Sequence, residues 1–288
     1  MKIGVDLGGS KILSILADYS DGSKKIRVLK QFQCETEADK GETKVVENIV
    51  KAIKAVMPEH ESPEMIGIAS AGNPYNGRMY GMNNFNIRDG FALEAKLKKF
   101  FPNITIKMDN DVNCFALAEH LHFQKPNLIG ITLGTGVGGG IIINHKLYGG
   151  TRNSAGEFGH MVIVADGEKC TCERKGCFEE YCSARALERY YLKLAGGKKP
   201  AAEITLGKNA NSKKAIAEFG KYLGIALANI ANIFDPDIIV IGGGLSNIRG
   251  LMQYARDGVK DAKFLGRKVR IEKSFFGSIS PAIGAIML

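Results

Sequence analysis

Residues 1–17 read MKIGVDLGGSKILSILA, and residues 128–143 read LIGITLGTGVGGGIII. Each stretch is an apolar run, a glycine-rich turn and a second apolar run. The period of such runs, bounded by glycine, predicts two strands joined by a tight turn. In the first copy the strands cover residues 2–7 and 12–17. In the second they cover 128–133 and 141–143, with 134–140 as the turn. One strand–turn–strand unit written twice is the sign of an internal duplication.

Between and beyond the two copies, strand and helix patterns alternate. Val45, Val46, Ile49, Val50, Ile53 and Val56 recur at helical spacing over 42–57, and Pro58 closes that helix. Strands are expected at 65–69, 104–108, 237–241 and 269–273. Helices are expected at 91–100, 112–122, 184–195, 211–233, 249–261 and 282–288. Residues 70–90 and 151–183 read as loop. Alternation of this kind indicates an α/β fold, and the duplication indicates two α/β domains around a cleft. The expected division is 1–111, completed by 273–288, and 112–272.

The composition narrows the functional classes. The chain has 288 residues, 45% of them hydrophobic, with 8 Pro and no Trp. A chain of this length buries a sizeable core and needs neither a disulfide nor a metal simply to fold. The formal charge is +9, yet the basic residues are scattered and no nucleic-acid reading pattern surrounds them. Nucleic acid is therefore not expected as a partner. No apolar stretch reaches about 18 residues, which argues against a membrane helix. Met1 to Asp6 reads as the start of a strand rather than a signal peptide, so the expected location is the cytoplasm.

Five segments carry candidate chemistry. Asp6-Leu7-Gly8-Gly9-Ser10 places a carboxylate at a strand end, beside amides that can hold phosphate oxygens. Asp6 is a hard-oxygen candidate near Mg²⁺; the plainer reading is an ordinary hairpin turn. The turn at Gly134-Thr135-Gly136 lacks the Lys-Ser or Lys-Thr of a P-loop and the helix of the dinucleotide fingerprint. A phosphate-cradling hairpin is preferred to a purely structural turn. Gly242-Gly243-Gly244 follows a strong strand and suits a flat ligand such as a purine. Asp109-Asn110-Asp111 stands at a strand-to-helix junction. There Asp111 is either a helix cap or a general base, and Asn110 is a donor to a hydroxylated ligand. Finally, His160, Cys170, Cys172 and Cys177 combine three thiolates with an imidazole, the donor set of a closed tetrahedral Zn²⁺ site. Four protein ligands leave no position for an activated water, so the metal is structural. Cys34, Cys114 and Cys182 read as buried small hydrophobes.

Taken in order, these segments resemble the ROK family of sugar kinases, within the actin-like (ribonuclease H-like) ATPase fold. The resemblance runs from Asp6–Ser10 through Asn110–Asn113, Leu133–Gly136, Gly156-Glu157-Phe158-Gly159-His160, the cysteine cluster with Glu179, and Asp235–Asp237 to Gly242–Gly244 and Ala282–Ala285. It implies a two-domain α/β kinase with a nucleotide and sugar cleft, closed by a hinge motion. Asp111 would be the catalytic base toward a hexose 6-hydroxyl. Asn84, Asn110, Asp111, Glu157, His160 and Glu179 would bind sugar. Asp6, Gly8, Gly9, Ser10, Lys11, Thr135, Gly136, Gly243 and Gly244 would serve ATP and Mg²⁺. His160, Cys170, Cys172 and Cys177 would hold Zn²⁺, with His160 reading a sugar hydroxyl through its other nitrogen. A homodimer is also implied. Loss of the metal is expected to weaken sugar affinity and stability together, and to affect the nucleotide loops less, since they lie elsewhere in the sequence.

Three positions depart from the family pattern. Glu173 replaces the glycine after Cys-x-Cys. Ser70-Ala71-Gly72-Asn73 replaces Gly-x-Pro-Gly in a loop that lines the sugar pocket. Ser183-Ala184 replaces Ser-Gly. The chain starts at its first strand, without the helix-turn-helix that family repressors carry, so repressor activity is not expected. Residues 153–157 favour a glucose- or fructose-type acceptor, whereas 109–117 and 241–247 resemble N-acetylglucosamine kinases. Glucose is the first expectation. N-acetylglucosamine or N-acetylmannosamine is the alternative, and fructose the second alternative.

Overall fold

The structure is a computed structural model that describes residues 1–20, 22, 25–82, 85–260 and 269–288. Contacts divide the chain into two compact units. One holds Met1–Gln124, Leu147–Ala155 and Ile279–Leu288; the other holds Lys125–Lys146 and Gly156–Ser278.

The first unit is laid down by β1 (Lys2–Leu7), β2 (Lys11–Asp18), β3 (Arg27–Glu35), α1 (Glu42–Val56), β4 (Met65–Ser70), β5 (Asn73–Tyr75), β6 (Arg78–Tyr80), α2 (Leu93–Lys98), β7 (Thr105–Asn110) and α3 (Asp111–Phe123). Its main sheet has the order β3-β2-β1-β4-β7. β2 pairs antiparallel with β1 and β3. β4 pairs parallel with β1 and β7. β1 and β4 are buried almost throughout, as central parallel strands covered on both faces require. α1 presses the predicted valine and isoleucine stripe onto this sheet.

The second unit is laid down by β8 (Leu128–Leu133), β9 (Val137–Ile143), α4 (Glu179–Cys182), α5 (Ala184–Ala195), α6 (Ala201–Ile204), α7 (Ala210–Phe234), β11 (Ile238–Gly242), α8 (Leu251–Lys260) and β12 (Arg270–Lys273), with the two-residue β10 (Lys146–Leu147) at its boundary. The sheet order is β10-β9-β8-β11-β12. β9 pairs antiparallel with β8, while β11 pairs parallel with β8 and with β12. Strands β2-β1-β4-β7 and β9-β8-β11-β12 thus repeat one arrangement, and the duplicated hairpins are its first two strands.

α9 (Ser280–Ala285) returns to the first unit. It lies so close to its neighbours that three glycines are obligatory. A Cβ on Gly4 would sit 2.0 Å from the Ala282 carbonyl oxygen, one on Gly67 1.8 Å from that of Ala285, and one on Gly284 1.7 Å from that of Cys114. α3 is part of the same packing, which is why it groups with the first unit. The sequence reading drew its line before Val112.

Several elements differ from expectation, among them the short β10, α4 and α6, which no expected strand or helix covers. β3 has no counterpart in the sequence reading: as an edge strand with a mostly exposed RVLKQFQCE sequence, it carries too little apolar alternation to announce itself. The β5–β6 hairpin lies inside the segment read as loop. In addition, Gly138, Gly139 and Gly140 belong to β9 rather than to the turn.

Candidate functional site

In the first unit the carboxyl ends of the parallel strands β1, β4 and β7 gather the predicted residues. Asp6 pairs in register with Ala69, and Ala69 with Asp109. Just beyond β7, Asp111 is the first residue of α3. Burial pushes the Asp6 carboxyl up to about 7, with the charge of Asp111 adding to the effect. These two acids therefore share one desolvated strand end.

Asn110, not Asp111, caps α3. Its Oδ1 accepts from the Val112 amide at 2.9 Å and the Asn113 amide at 3.4 Å. Its Nδ2 donates to the Gly72 carbonyl at 2.7 Å. The cap relieves Asp111 of that task and leaves its carboxylate in the first turn, where the helix dipole favours negative charge. Asp109 organises the surroundings. Its Oδ1 accepts from the Asn110 amide at 2.7 Å and from the side-chain amides of Asn113 and Asn153, both at 2.8 Å. Asn73 donates to the Arg152 carbonyl at 3.0 Å and to Ser154 Oγ at 2.9 Å. The loop that departs from the family's Gly-x-Pro-Gly is thereby fastened to residues 152–154.

The turn between β1 and β2 is held by a residue the sequence reading missed. Buried Thr36 donates from Oγ1 to the Gly8 carbonyl at 2.6 Å, and its amide donates to the Ser10 carbonyl at 3.0 Å. Ser10 and Lys11 are exposed, while Gly8 and Gly9 are half-buried. A lone threonine after an unrecognised strand carries no signal in a single sequence. Asn84 lies outside the described residues.

In the second unit, the turn Gly134–Gly136 follows β8 and Gly243–Gly244 follow β11, its parallel neighbour. Both nucleotide candidates thus stand at the carboxyl edge of one sheet, the place where open α/β sheets bind ligands. Gly243 has φ +80, and a Cβ there would lie 2.3 Å from the Leu133 carbonyl oxygen. Thr135 is exposed at the tip of its turn. Gly139 has another purpose: a Cβ would collide with the Phe158 ring at 2.1 Å. The glycine run therefore serves both a turn and the seating of the Gly156–His160 segment.

The four predicted metal ligands do come together. Their donor atoms lie within 4.8 Å of one another. Cys170 Sγ is 3.7 Å from His160 Nδ1, and Cys172 Sγ is 3.5 Å from Cys177 Sγ. A tetrahedral Zn²⁺ with Zn–S of about 2.3 Å and Zn–N of about 2.0 Å spaces its ligand atoms about 3.5–3.8 Å apart. The donor set and its spacing fit that ion. The Arg174 amide lowers the Cys172 thiol to about 6, the direction that favours a thiolate ligand, whereas burial pushes Cys177 up in the metal-free protein. Glu173 occupies the position of the family glycine with φ +71, so a left-handed residue is required there, and the substitution leaves the turn in place. Ser183 caps α5, its Oγ accepting from the Ala186 amide at 3.4 Å.

The fold and these strand-end sites define a two-domain protein of the actin-like class. The ROK family's sequence profile matches residues 2–288, and the chain belongs to the ROK family. An N-acetyl-D-glucosamine kinase of Yersinia enterocolitica is 33% identical over 240 residues, covering 77% of this chain and 78% of that one. One of Aliivibrio fischeri is 30% identical, covering 100% of this chain and 99% of that one. Among solved structures, a ROK family glucokinase from Streptomyces griseus, in complex with glucose and AMPPNP, is 28% identical with a TM-score of 0.79. It matches over 99% of this chain and 97% of that one. The ROK hexokinase of Thermus thermophilus, at 24% identity and a TM-score of 0.84 over 99% of this chain and 96% of that one, shares the fold. No helix among the described residues is long and apolar enough to cross a membrane.

Proposed function

We propose that this ATP-dependent sugar kinase phosphorylates N-acetyl-D-glucosamine at its 6-hydroxyl. The observation that carries the reading is the likeness to N-acetyl-D-glucosamine kinases, which extends over the whole chain in the Aliivibrio fischeri protein. The glucose-first expectation from sequence gives way to its alternative on this ground.

Asp111, set at the start of α3 by the Asn110 cap, accepts the proton as the sugar oxygen attacks the γ-phosphorus and ADP departs. Asn110 orients the base while capping the helix. Glu157, His160 and Glu179 take sugar hydroxyls. The turns at Gly8–Lys11 and Gly134–Gly136 offer amides and hydroxyls to phosphate, and Gly243–Gly244 take the adenosine. Asp6 would stand near the Mg²⁺ that accompanies ATP, an ion that would supply charge neutralisation of the phosphates. His160, Cys170, Cys172 and Cys177 would hold a structural Zn²⁺. Such a metal would fix the orientation of the His160 imidazole. A homodimer in the cytoplasm completes the reading; light scattering near the monomer mass would refute the dimer.

A steady-state panel of N-acetylglucosamine, N-acetylmannosamine, glucose, mannose and fructose with ATP and Mg²⁺ tests the acceptor. N-acetylglucosamine should show the highest kcat/KM, at least about tenfold above glucose, a preference worth ~1.4 kcal/mol in transition-state binding. A preference for glucose would favour the second reading. That reading draws on the 153–157 segment and on the Streptomyces griseus glucokinase.

A further inference from the structure

We propose that Glu179 is a positioning residue for the nucleotide turn, setting phosphate affinity even when no sugar is bound. The inference rests on the reading of Gly134–Gly136 as a phosphate turn and goes beyond the sugar contact assigned to Glu179 by resemblance.

Glu179 Oε2 accepts a hydrogen bond from the Val137 amide at 3.0 Å. A Cβ on Gly136 would stand 2.3 Å from that same oxygen, so glycine is what admits the carboxylate to the turn. Across the turn, the Gly134 carbonyl accepts from the Ala184 amide at 2.9 Å, where α5 begins. The turn is thus tied at one end to the first residue of α4 and at the other to the first residue of α5. The turn closes on itself through Gly134 N–H to the Gly136 carbonyl at 2.9 Å, which leaves exposed Thr135 at its tip.

A carboxylate beside a phosphate site is unfavourable unless its charge is engaged. Here Oε2 is committed to the Val137 amide, and Oε1 faces Arg185 Nη2 at 3.6 Å. Those contacts are consistent with a residue that orders the turn rather than one that only awaits a sugar. The segment on the other flank approaches equally closely: a Cβ on Gly159, next to His160, would lie 2.2 Å from the Val137 carbonyl oxygen. The nucleotide turn is therefore gripped by the segments that carry the sugar and metal residues. These contacts join segments that are distant in sequence.

The test is calorimetric binding of Mg²⁺–AMPPNP to the full chain with no sugar present. Glu179→Ala should weaken binding about tenfold, the typical consequence of losing a charge-assisted hydrogen bond. Glu179→Gln retains a carbonyl acceptor for the Val137 amide and should stay within about threefold of wild type. Gly136→Ala should weaken binding in the wild-type background and add little in the Glu179→Ala background, because both remove the same contact. Bound zinc and circular dichroism are measured on every variant. Should Glu179→Ala fail to fold, the cycle is run with Glu179→Gln and Gly136→Ala, where the retained carboxamide should still clash and preserve the full Gly136→Ala penalty. Equal AMPPNP affinity in wild type and Glu179→Ala, or independent effects of the two substitutions, would overturn the inference alone. Absence of AMPPNP binding by the wild type would overturn the kinase reading and the inference with it.

Discussion

Replacing Asp6 by asparagine should stabilise the metal-free protein increasingly as pH rises, while abolishing activity. Asp6 is raised from 3.8 to about 7, first by burial and then by the charge of Asp111. Between those values the folded state holds a proton that the unfolded state has released. Folding stability therefore falls as pH climbs through this window and levels off above about pH 8. A shift of about 3 units corresponds to a ceiling of ~4 kcal/mol, of which about half lies between about pH 5.5 and about pH 8.5. The carboxamide introduced by Asp6→Asn has no proton to lose, so the variant lacks that slope. Other titrating groups cancel when the two proteins are compared at each pH. With ~2 kcal/mol at stake, the melting temperature of the first unit's transition should favour the variant by several degrees more at the higher pH than at the lower. The assay is a thermal melt in chelator, without nucleotide, across that range. A difference that does not change with pH, or a wild type that gains on the variant as pH rises, would refute the assignment of Asp6 as a strained acid. A bound cation should reverse the order, because it supplies the charge that the strand end lacks.

Three further outcomes follow from named contacts. Asp111→Ala should lower turnover by about 10²–10⁴-fold and leave AMPPNP affinity nearly unchanged by calorimetry; retention of more than about a tenth of turnover would remove Asp111 from the role of base. Cys177→Ser should reduce the zinc content, expected near one per chain by elemental analysis, and raise the sugar KM together with a fall in melting temperature; a fully active wild type free of metal would end the zinc assignment. Gly284→Ala places a Cβ 1.7 Å from the Cys114 carbonyl oxygen, and overpacking of that kind costs about 1–3 kcal/mol; an unchanged urea midpoint would mean that α9 does not pack there as described.

The topology was legible because it is written twice. The paired runs at 1–17 and 128–143 specify two hairpins, and the apolar stretches at 65–69 and 237–241 specify the parallel strand beside each. What stayed hidden was held by weak or non-local signals. β3 is an exposed edge strand whose pairing partner supplies the missing information. The boundary of the first unit depends on α9 wedging between β1, β4 and α3, a contact that joins Gly284 to Cys114 across the chain. No window around residue 112 contains that fact.

The site shows the same division at finer scale. Donor chemistry sufficed to assemble His160 with Cys170, Cys172 and Cys177, because few arrangements other than a metal site collect three thiols and an imidazole. Polar groups that serve position rather than chemistry left no such trace. Asn110 caps the helix, while Asp109, Thr36, Asn113 and Asn153 hold the loops around Asp111 and Gly8. Glu179 lies between these cases: by resemblance it is expected as a sugar contact, and its geometry gives it a partner in the Val137 amide, just past the Gly134–Gly136 turn. A carboxylate near phosphate is repelled unless a donor or a cation engages its charge. Gly136 is the sequence mark of that contact, because any Cβ there would lie 2.3 Å from the carboxylate oxygen that accepts from the Val137 amide.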